Sequence, residues 1–320
     1  MSQKNSFLLL CILSLIVGLF LLCLGSAEIT LNDIFGLFSG EISNSKKIIL
    51  LEIRIPRVIM AFLIGMLLAS SGVVTQSVFL NPLADPYIIG IASAATFGAV
   101  VAYFLNLPDI YYAVFAFICS AILSFVIFNL YKKAGNLATL LIIGISFSSF
   151  LGAFTSFATY LIGEDSFKIV AWMMGYLGSA SWSKIAMIMP PLILTFLYFY
   201  TKRFELNVML SGDEEAKALG IDVESIKKRL LIVSALAVSF SVAFAGMIGF
   251  VGLIIPHTLR ILFKTSNNAI LIPFSGIIGG LFLMICDGAG KTILMPTEIP
   301  IGVITAFFGA PFFLFLALKR

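Results

Sequence analysis

The 320-residue sequence predicts an all-α polytopic membrane protein with ten transmembrane helices. Hydrophobic residues make up 60% of the chain and charged residues only 11%, and mean hydropathy is +1.11. Ordinary soluble domains carry roughly a quarter charged residues. The apolar residues fall in runs long enough to cross a bilayer, which takes about 20 residues of helix. Basic side chains gather in the same gaps between those runs, as they do on cytoplasmic segments.

The first span covers 7–26. Lys4 before it and Gly25-Ser26-Ala27 after it mimic a secretory leader, but the apolar run from Phe7 to Leu24 outlasts the roughly 7–15 residues of a leader core. Further spans fall near 57–79, 87–105, 111–130, 137–162, 185–201, 231–250, 269–289 and 299–318. Gly252, Pro256 and His257 interrupt the run from Leu231 to Phe263, which reads as one full span and a short helix near 255–263. Ten crossings place Lys4, Lys132, Lys133, Lys202, Arg203, Lys217, Lys227, Lys228, Arg229, Arg260, Lys264, Lys319 and Arg320 in the cytoplasm, thirteen of the twenty basic residues, with both termini inside. Nine crossings would send the tail outward. Seven remain outside, among them Lys46, Lys47, Arg54, Arg57 and Lys291, where positive charge weakens the orientation signal and so suggests a use.

The net charge of +4 comes from these short clusters rather than one basic face, which argues against nucleic-acid binding. Cys11, Cys23, Cys119 and Cys286 stand alone in apolar runs, so they read as small hydrophobes and imply no disulfide or metal framework.

An internal repeat is visible in "SGVVTQSVFLNPL" (71–83) and "AGMIGFVGLIIPH" (245–257), which align Gly72 with Gly246 and Pro82 with Pro256. Each pattern ends a long span, and the two spans are five crossings apart. The two halves of the chain would therefore be inverted in the membrane, a common way to build a transporter.

"GAGKT" at 288–292 resembles the end of a phosphate-binding loop, but Ile285 stands where that pattern needs its first glycine. It also follows a spanning helix rather than a strand, so the chain has no ATPase motif. Ion-driven carriers keep acids inside their spans. Here Val58–Leu80, Tyr87–Leu105 and Leu137–Ile162 hold no charge, Asp85 falls in a cytoplasmic loop, and Asp287 and Glu298 lie near outer helix ends. The single histidine, His257, reads as a helix-end residue and cannot form a metal site alone. Uphill transport would need energy from another subunit.

One segment offers a place for that energy to enter. "GDEEAKALGIDVESIKKR" (212–229) places nine charges in eighteen positions. Ser211 and Glu214 have capping-box spacing, and Asp213, Glu214 and Glu215 suit the positive end of a helix dipole. Gly220 suits a helix C-terminus, and Asp222 can cap a second short helix ending at Lys227-Lys228-Arg229. Ala216, Leu219, Val223 and Ile226 make one apolar stripe. A pair of short cytoplasmic helices hinged at Gly220 is expected, shaped as a docking knob for a motor.

These features, with "RIPRVIMAFLIGMLLASSGVVTQSVFLNPLADPYIIGI" (54–91), "GMIGFVGLIIPHTLRIL" (246–262) and "PTEIPIGVITAFFGAPFF" (296–313), resemble the FecCD-type permeases of binding-protein-dependent ABC importers. That family carries iron-siderophores, haem and vitamin B12. The resemblance covers nearly the whole chain. It implies the type II ABC importer permease fold with helices 2–5 and 7–10 as inverted repeats, and residues 1–320 as a single transmembrane domain with coupling helices at 211–229. It implies a homodimer with the pathway on its two-fold axis, two cytoplasmic ATPase subunits and an extracytoplasmic substrate-binding protein. ATP and Mg are bound by the ATPase, and no cofactor by this chain.

By the same resemblance Arg54, Arg57 and Lys291 meet carboxylates of the binding protein, although Lys291 stands where relatives often carry Arg and loses its bidentate fork. Gly212, Asp213, Glu214, Glu215, Ala216, Leu219 and Gly220 enter a cleft of the ATPase. Gly72, Gln76, Asn81, Pro82, Trp172 and Gly309 fall on the pathway or its gate; Trp172 and Trp182 match a short outer helix near the channel mouth, or serve equally as interfacial anchors. The cargo is then an iron chelate, haem or cobalamin moved across the cytoplasmic membrane by alternating access. A molybdate or tungstate importer of the same architecture is the alternative. An intramembrane enzyme is remote, because the spans lack a nucleophile with a base or a set of metal ligands.

Overall fold

The computed structural model describes residues 3–40, 42–108, 110–134 and 137–318, and every regular element among them is helical. In chain order these are α1 (Gln3–Cys23), α2 (Leu31–Ser39), α3 (Asn44–Ile48), α4 (Ile55–Val78), α5 (Ile91–Phe104), α6 (Ile110–Ala134), α7 (Leu137–Ile162) and α8 (Phe167–Met173). They continue as α9 (Trp182–Thr201), α10 (Arg203–Met209), α11 (Asp213–Ala218), α12 (Val223–Ala245), α13 (Val251–Phe263), α14 (Asn268–Thr292) and α15 (Ile301–Leu318). Lys319 and Arg320 of the expected cytoplasmic cluster lie outside the described residues.

Six stretches are long and apolar enough to cross a membrane: Lys4–Cys23, Asn44–Val78, Thr139–Ile162, Trp182–Thr201, Val223–Ala245 and Asn268–Thr292. Shorter apolar helices occupy Ile91–Phe104, Tyr111–Ile127, Val251–Phe263 and Ile301–Phe315. The chain is a multi-pass membrane protein.

Helix α4 is the axis of the bundle. Its stretch is 83% buried, against 17% for those of α1 and α7, which therefore sit at the periphery. Small residues explain how α4 takes so many neighbours, because they let helix backbones approach closely in lipid. Gly65 lies against the backbone of Gly279 and Gly280 on α14, and Gly72 against Gly252 on α13.

Upstream, α3 runs through one wide π turn at Ile49–Arg54 into α4. Pro56 opens α4 and has no N–H to return to the preceding turn, a sufficient reason for the backbone to widen there.

Two expectations change. The sequence suggests a short helix ending at Arg229 and a separate span from Leu231. They are one helix, α12, whose 23 residues contain no glycine, proline or cap that could part them. The repeat also falls differently on the structure. Both halves show a long helix, a loop and a half-length helix, with α4 and α5 in one and α12 and α13 in the other. Gly72, however, lies inside α4 while Gly246 caps α12, and Pro82 is in a loop while Pro256 is inside α13.

Candidate functional site

Four groups of residues carry the chemistry of the molecule. At one end of the bundle, α11 and the start of α12 form a helical hairpin. Its turn is a Schellman motif: Ile221 N–H bonds Ala216 O at 3.1 Å and Gly220 N–H bonds Lys217 O at 2.9 Å. Gly220 takes φ 82°, which a side chain would resist. Asp222 caps α12, its carboxylate accepting from Ser225 N–H at 3.2 Å.

The expected capping box at Ser211 and Glu214 does not form. Gly212 stands at the N-cap instead, at a φ of 131° that favours glycine, and Asp213 turns back to Lys227 at 2.6 Å. Ala216 and Val223 bury the hairpin's inner face, while Glu214, Glu215 and Leu219 project, Leu219 with 72% exposure.

Next to the hairpin, the predicted pathway residues of α4 sit in a polar seam. Gln76 Nε2 donates to Gly252 O at 3.2 Å and Leu253 O at 3.1 Å. Arg260, from the end of α13, donates to Gln76 Oε1. Asn81 N–H bonds Gln76 O at 3.1 Å, and the Asn81 side chain accepts from Leu83 N–H at 3.0 Å, folding Pro82 into a tight turn. Gly309 on α15 leaves room for the Phe250 ring, and the Trp172 carbonyl approaches Gly246.

Above the seam lies a cavity of about 870 Å³. None of the six predicted pathway residues lines it, though Phe250, which rests on Gly309, does. Its walls come from α7 (Thr155, Ser156, Thr159), α8 and its end (Val170, Met173, Met174), the loop before α13 (Met247, Gly249, Phe250) and α15 (Gly302, Val303, Ala306). Asp85, Tyr87 and Ala92 close it from the loop after α4 and the start of α5.

Asp85 corrects a sequence expectation. The loop 79–90 does not stay at the end of the bundle but folds back inside. Pro86 packs on Gly252 beside the carbonyl of Leu68, midway along α4. α5 has only 14 residues, roughly 21 Å of helix against a hydrocarbon core of about 30 Å, and the loop folded back inside makes up the length; the apolar run at 87–105 carries no sign of this. Asp85 is the one charge in the cavity wall among the described residues. His257, expected at a helix end, lies within α13 with its ring edge toward Phe312.

At the opposite end of the bundle the three predicted docking cations have internal partners. Arg57 Nε and Nη2 reach Asp287 Oδ1 at 3.0 and 2.9 Å, and its Nη1 donates to Glu298 at 3.0 Å. Lys291 Nζ meets Asp287 at 2.8 Å from one turn along α14, so "GAGKT" is ordinary helix rather than a phosphate cradle. Arg54 donates to the carbonyls of Leu22 at 2.6 Å and Ala27 at 2.5 Å, tying the end of α1 to the π turn. Arg57, Lys291 and Asp287 are buried, whereas 36% of the Glu298 side chain is exposed. Trp182 marks the same end, donating to Leu51 O at 2.8 Å.

Comparison with known proteins places this architecture. Residues 10–319 match the FecCD transport family. The hemin transport system permease protein of Yersinia pestis is 36% identical over 320 residues, covering 96% of this chain and 94% of the relative. The cobalamin import system permease protein of Halobacterium salinarum is 37% identical over 284 residues, covering 87% and 76%. Among solved structures, an inward-facing conformation of a putative metal-chelate type ABC transporter superposes with a TM-score of 0.90 at 30% identity, covering 99% of this chain and all of the other.

Proposed function

This chain belongs to the FecCD transport family, and on that premise we propose that it is the permease subunit of an ATP-driven importer for an iron chelate, haem or cobalamin. It is a transport subunit, and ATP hydrolysis is the work of a separate ATPase subunit. The observation that carries the cargo class is the cavity of about 870 Å³ between loops that lead into two half-length helices. Its wall is mostly apolar, with the hydroxyls of Tyr87, Thr155, Ser156 and Thr159 and the thioethers of Met173, Met174 and Met247. That wall suits a bulky chelate with an organic surface. A bare oxyanion such as molybdate would meet no cation there and one carboxylate, Asp85.

Six long apolar helices and four shorter ones support a count of ten spans, in which helices 2–5 and 7–10 would be inverted and both termini cytoplasmic. Large apolar side chains project from α7 and α15 beside the cavity, including Phe157 at 60% and Phe307 at 75% exposure. They support a homodimer whose axis runs past the cavity. The α11–α12 hairpin enters the ATPase through Leu219 and the acids of Gly212–Gly220, while ATP and Mg stay on the ATPase.

The Arg57 end docks the binding protein, where an incoming carboxylate competes with exposed Glu298 for Arg57 Nη1. Arg54 and Lys291 hold the surface in shape and add positive charge. Gly72, Gln76, Asn81 and Pro82 act at the seam, as gate rather than as wall, while Trp172 and Gly309 act behind the wall through Gly246 and Phe250.

The test is uptake by proteoliposomes holding the permease with its ATPase and its binding protein, offered radiolabelled ferric siderophores, haem, cobalamin or molybdate. ATP-dependent accumulation of one of the first three is expected. Accumulation of molybdate alone, or uptake that ignores ATP, would sink the reading.

A further inference from the structure

Helix α10 is a part of the machine that neither the sequence motifs nor the hairpin accounts for. It has seven residues, it immediately precedes α11, and its Leu206 and Met209 are fully buried. Unlike the projecting hairpin, it is wedged into the bundle.

The link from α10 to α11 is short and fully turned. Leu210 N–H bonds Asn207 O at 3.2 Å, Ser211 N–H bonds Val208 O at 3.1 Å, and Gly212 N–H bonds Met209 O at 3.2 Å. A displacement of α11 is therefore passed to α10 rather than absorbed in slack chain.

Asn207 then reaches across to α14. Its Oδ1 accepts from Asn268 N–H at 2.7 Å and from Asn268 Nδ2 at 3.0 Å, and its Nδ2 donates to Asn267 Oδ1 at 2.8 Å. Asn268, with no exposed surface, accepts from Ser77 Oγ at 2.9 Å through its own Oδ1. Ser77 lies in the last turn of α4, directly before the loop that carries Asp85 to the cavity wall.

Four hydrogen bonds, three of them between side chains, thus join the hairpin's anchor to the starts of both α14 and the gate loop. Apolar packing would fill the same space without direction. A satisfied polar network in a low-dielectric interior fixes the register between helices.

We propose that Asn207 is the positioning residue that makes α10, the start of α14 and the end of α4 one rigid unit, so that motion delivered to the hairpin reaches the gate loop. This rests on the importer reading above. Asn207 touches neither cargo nor nucleotide; it acts through Asn268 and Ser77.

The experiment uses the complete importer in nanodiscs and reads two quantities. One is the stimulation of ATP hydrolysis by the binding protein. The other is the rate at which maleimide labels Leu83→Cys, in a permease with the native cysteines replaced, in ATP-trapped against nucleotide-free complex. Asn207→Asp keeps the oxygen that Asn268 donates to and loses only the bond to Asn267, so at roughly fivefold per hydrogen bond it is expected to lose no more than about fivefold of the stimulation, with labelling that still follows nucleotide state. Asn207→Leu keeps the volume and loses all three bonds. It is expected to lose the stimulation well beyond that of the Asp variant, and its labelling rate no longer follows nucleotide state.

A purely space-filling role predicts the reverse order, with Leu tolerated and Asp harmful, and that result overturns the proposal. Should Asn207→Leu fail to assemble, Ser77→Ala removes one hydroxyl without adding volume and decides in its place. Its loss of nucleotide-dependent labelling supports the joint, and unchanged labelling refutes it. If the parent permease binds no ATPase at all, the importer reading has failed, not this joint.

Discussion

Lys227 Nζ lies 2.6 Å from Asp213 Oδ1, and this contact holds the α11–α12 hairpin closed. The lysine side chain is 5% exposed and the aspartate 44%. Asp213→Asn leaves a buried ammonium without its counter-charge. A fully buried pair broken this way costs about 3–5 kcal/mol, and the solvent at Asp213 screens part of it, so about 1–2 kcal/mol is expected. Hydrogen exchange of residues 212–222 should speed up in the variant. Asp213→Asn with Lys227→Met should restore protection, because both charges are then gone. Equal protection in the parent and the single variant would mean that the contact holds nothing.

The Arg57 cluster makes a graded prediction. Asp287 faces two buried cations, Arg57 at 2.9 Å and Lys291 at 2.8 Å. Asp287→Asn leaves buried Lys291 without its counter-charge and Arg57 with Glu298 alone, and should cost about 3–5 kcal/mol in thermal unfolding. Glu298→Gln removes a partly exposed charge, 36% of whose side chain faces solvent, and should cost under about 1 kcal/mol. It also frees Arg57 Nη1, so it should tighten association with an acidic binding protein, most visibly at low salt where screening is weak. Weaker association of Glu298→Gln would place docking elsewhere.

How much of this could be read from the chain depends on the range of each interaction. The spans follow from apolar run length, and the Gly220 turn and Asp222 cap follow from chemistry within four residues. The capping box at Ser211 and Glu214 does not form because α11 starts one residue later, with Gly212 at its N-cap, and no local rule sees the partner that Asp213 finds 14 residues away in Lys227. Arg57 and Asp287 are 230 residues apart, so the docking cations looked free in the sequence and are engaged in the fold. Asp85 looked like a loop residue because the sequence shows where helices stop but not how deep a loop folds back.

Acid should act on α2 at its Asp33 side chain. The Lys46 ammonium at 2.8 Å, and then the Thr30 backbone and hydroxyl, hold this carboxyl at about 2 rather than its ordinary 3.8. A depressed carboxylate lends stability that is present above pH 3.8 and is lost as pH falls through about 2. The carbon-13 shift of the Asp33 carboxyl should titrate near that lower value, and Lys46→Met should move the midpoint up. A parent midpoint at the ordinary value would show the Lys46 contact to be idle in solution.

The glycines of the bundle separate close approach from mere spacing. A Cβ on Gly72 would strike the backbone of Gly252, which cannot swing aside as a side chain does. Overpacking of this kind costs about 1–3 kcal/mol, and here it would also push α13 from α4 and stretch the bonds from Gln76 to Gly252 and Leu253. Gly152 on α7 has nothing within 4 Å of the same position, and alanine there should gain about 0.5–1 kcal/mol of helix stability. Thermal unfolding of the two alanine variants should therefore move in opposite directions. In the reconstituted importer Gly72→Ala should lose transport while Gly152→Ala keeps it. If Gly72→Ala transports normally, the seam between α4 and α13 is not held at backbone contact during the cycle, and the gate must lie elsewhere.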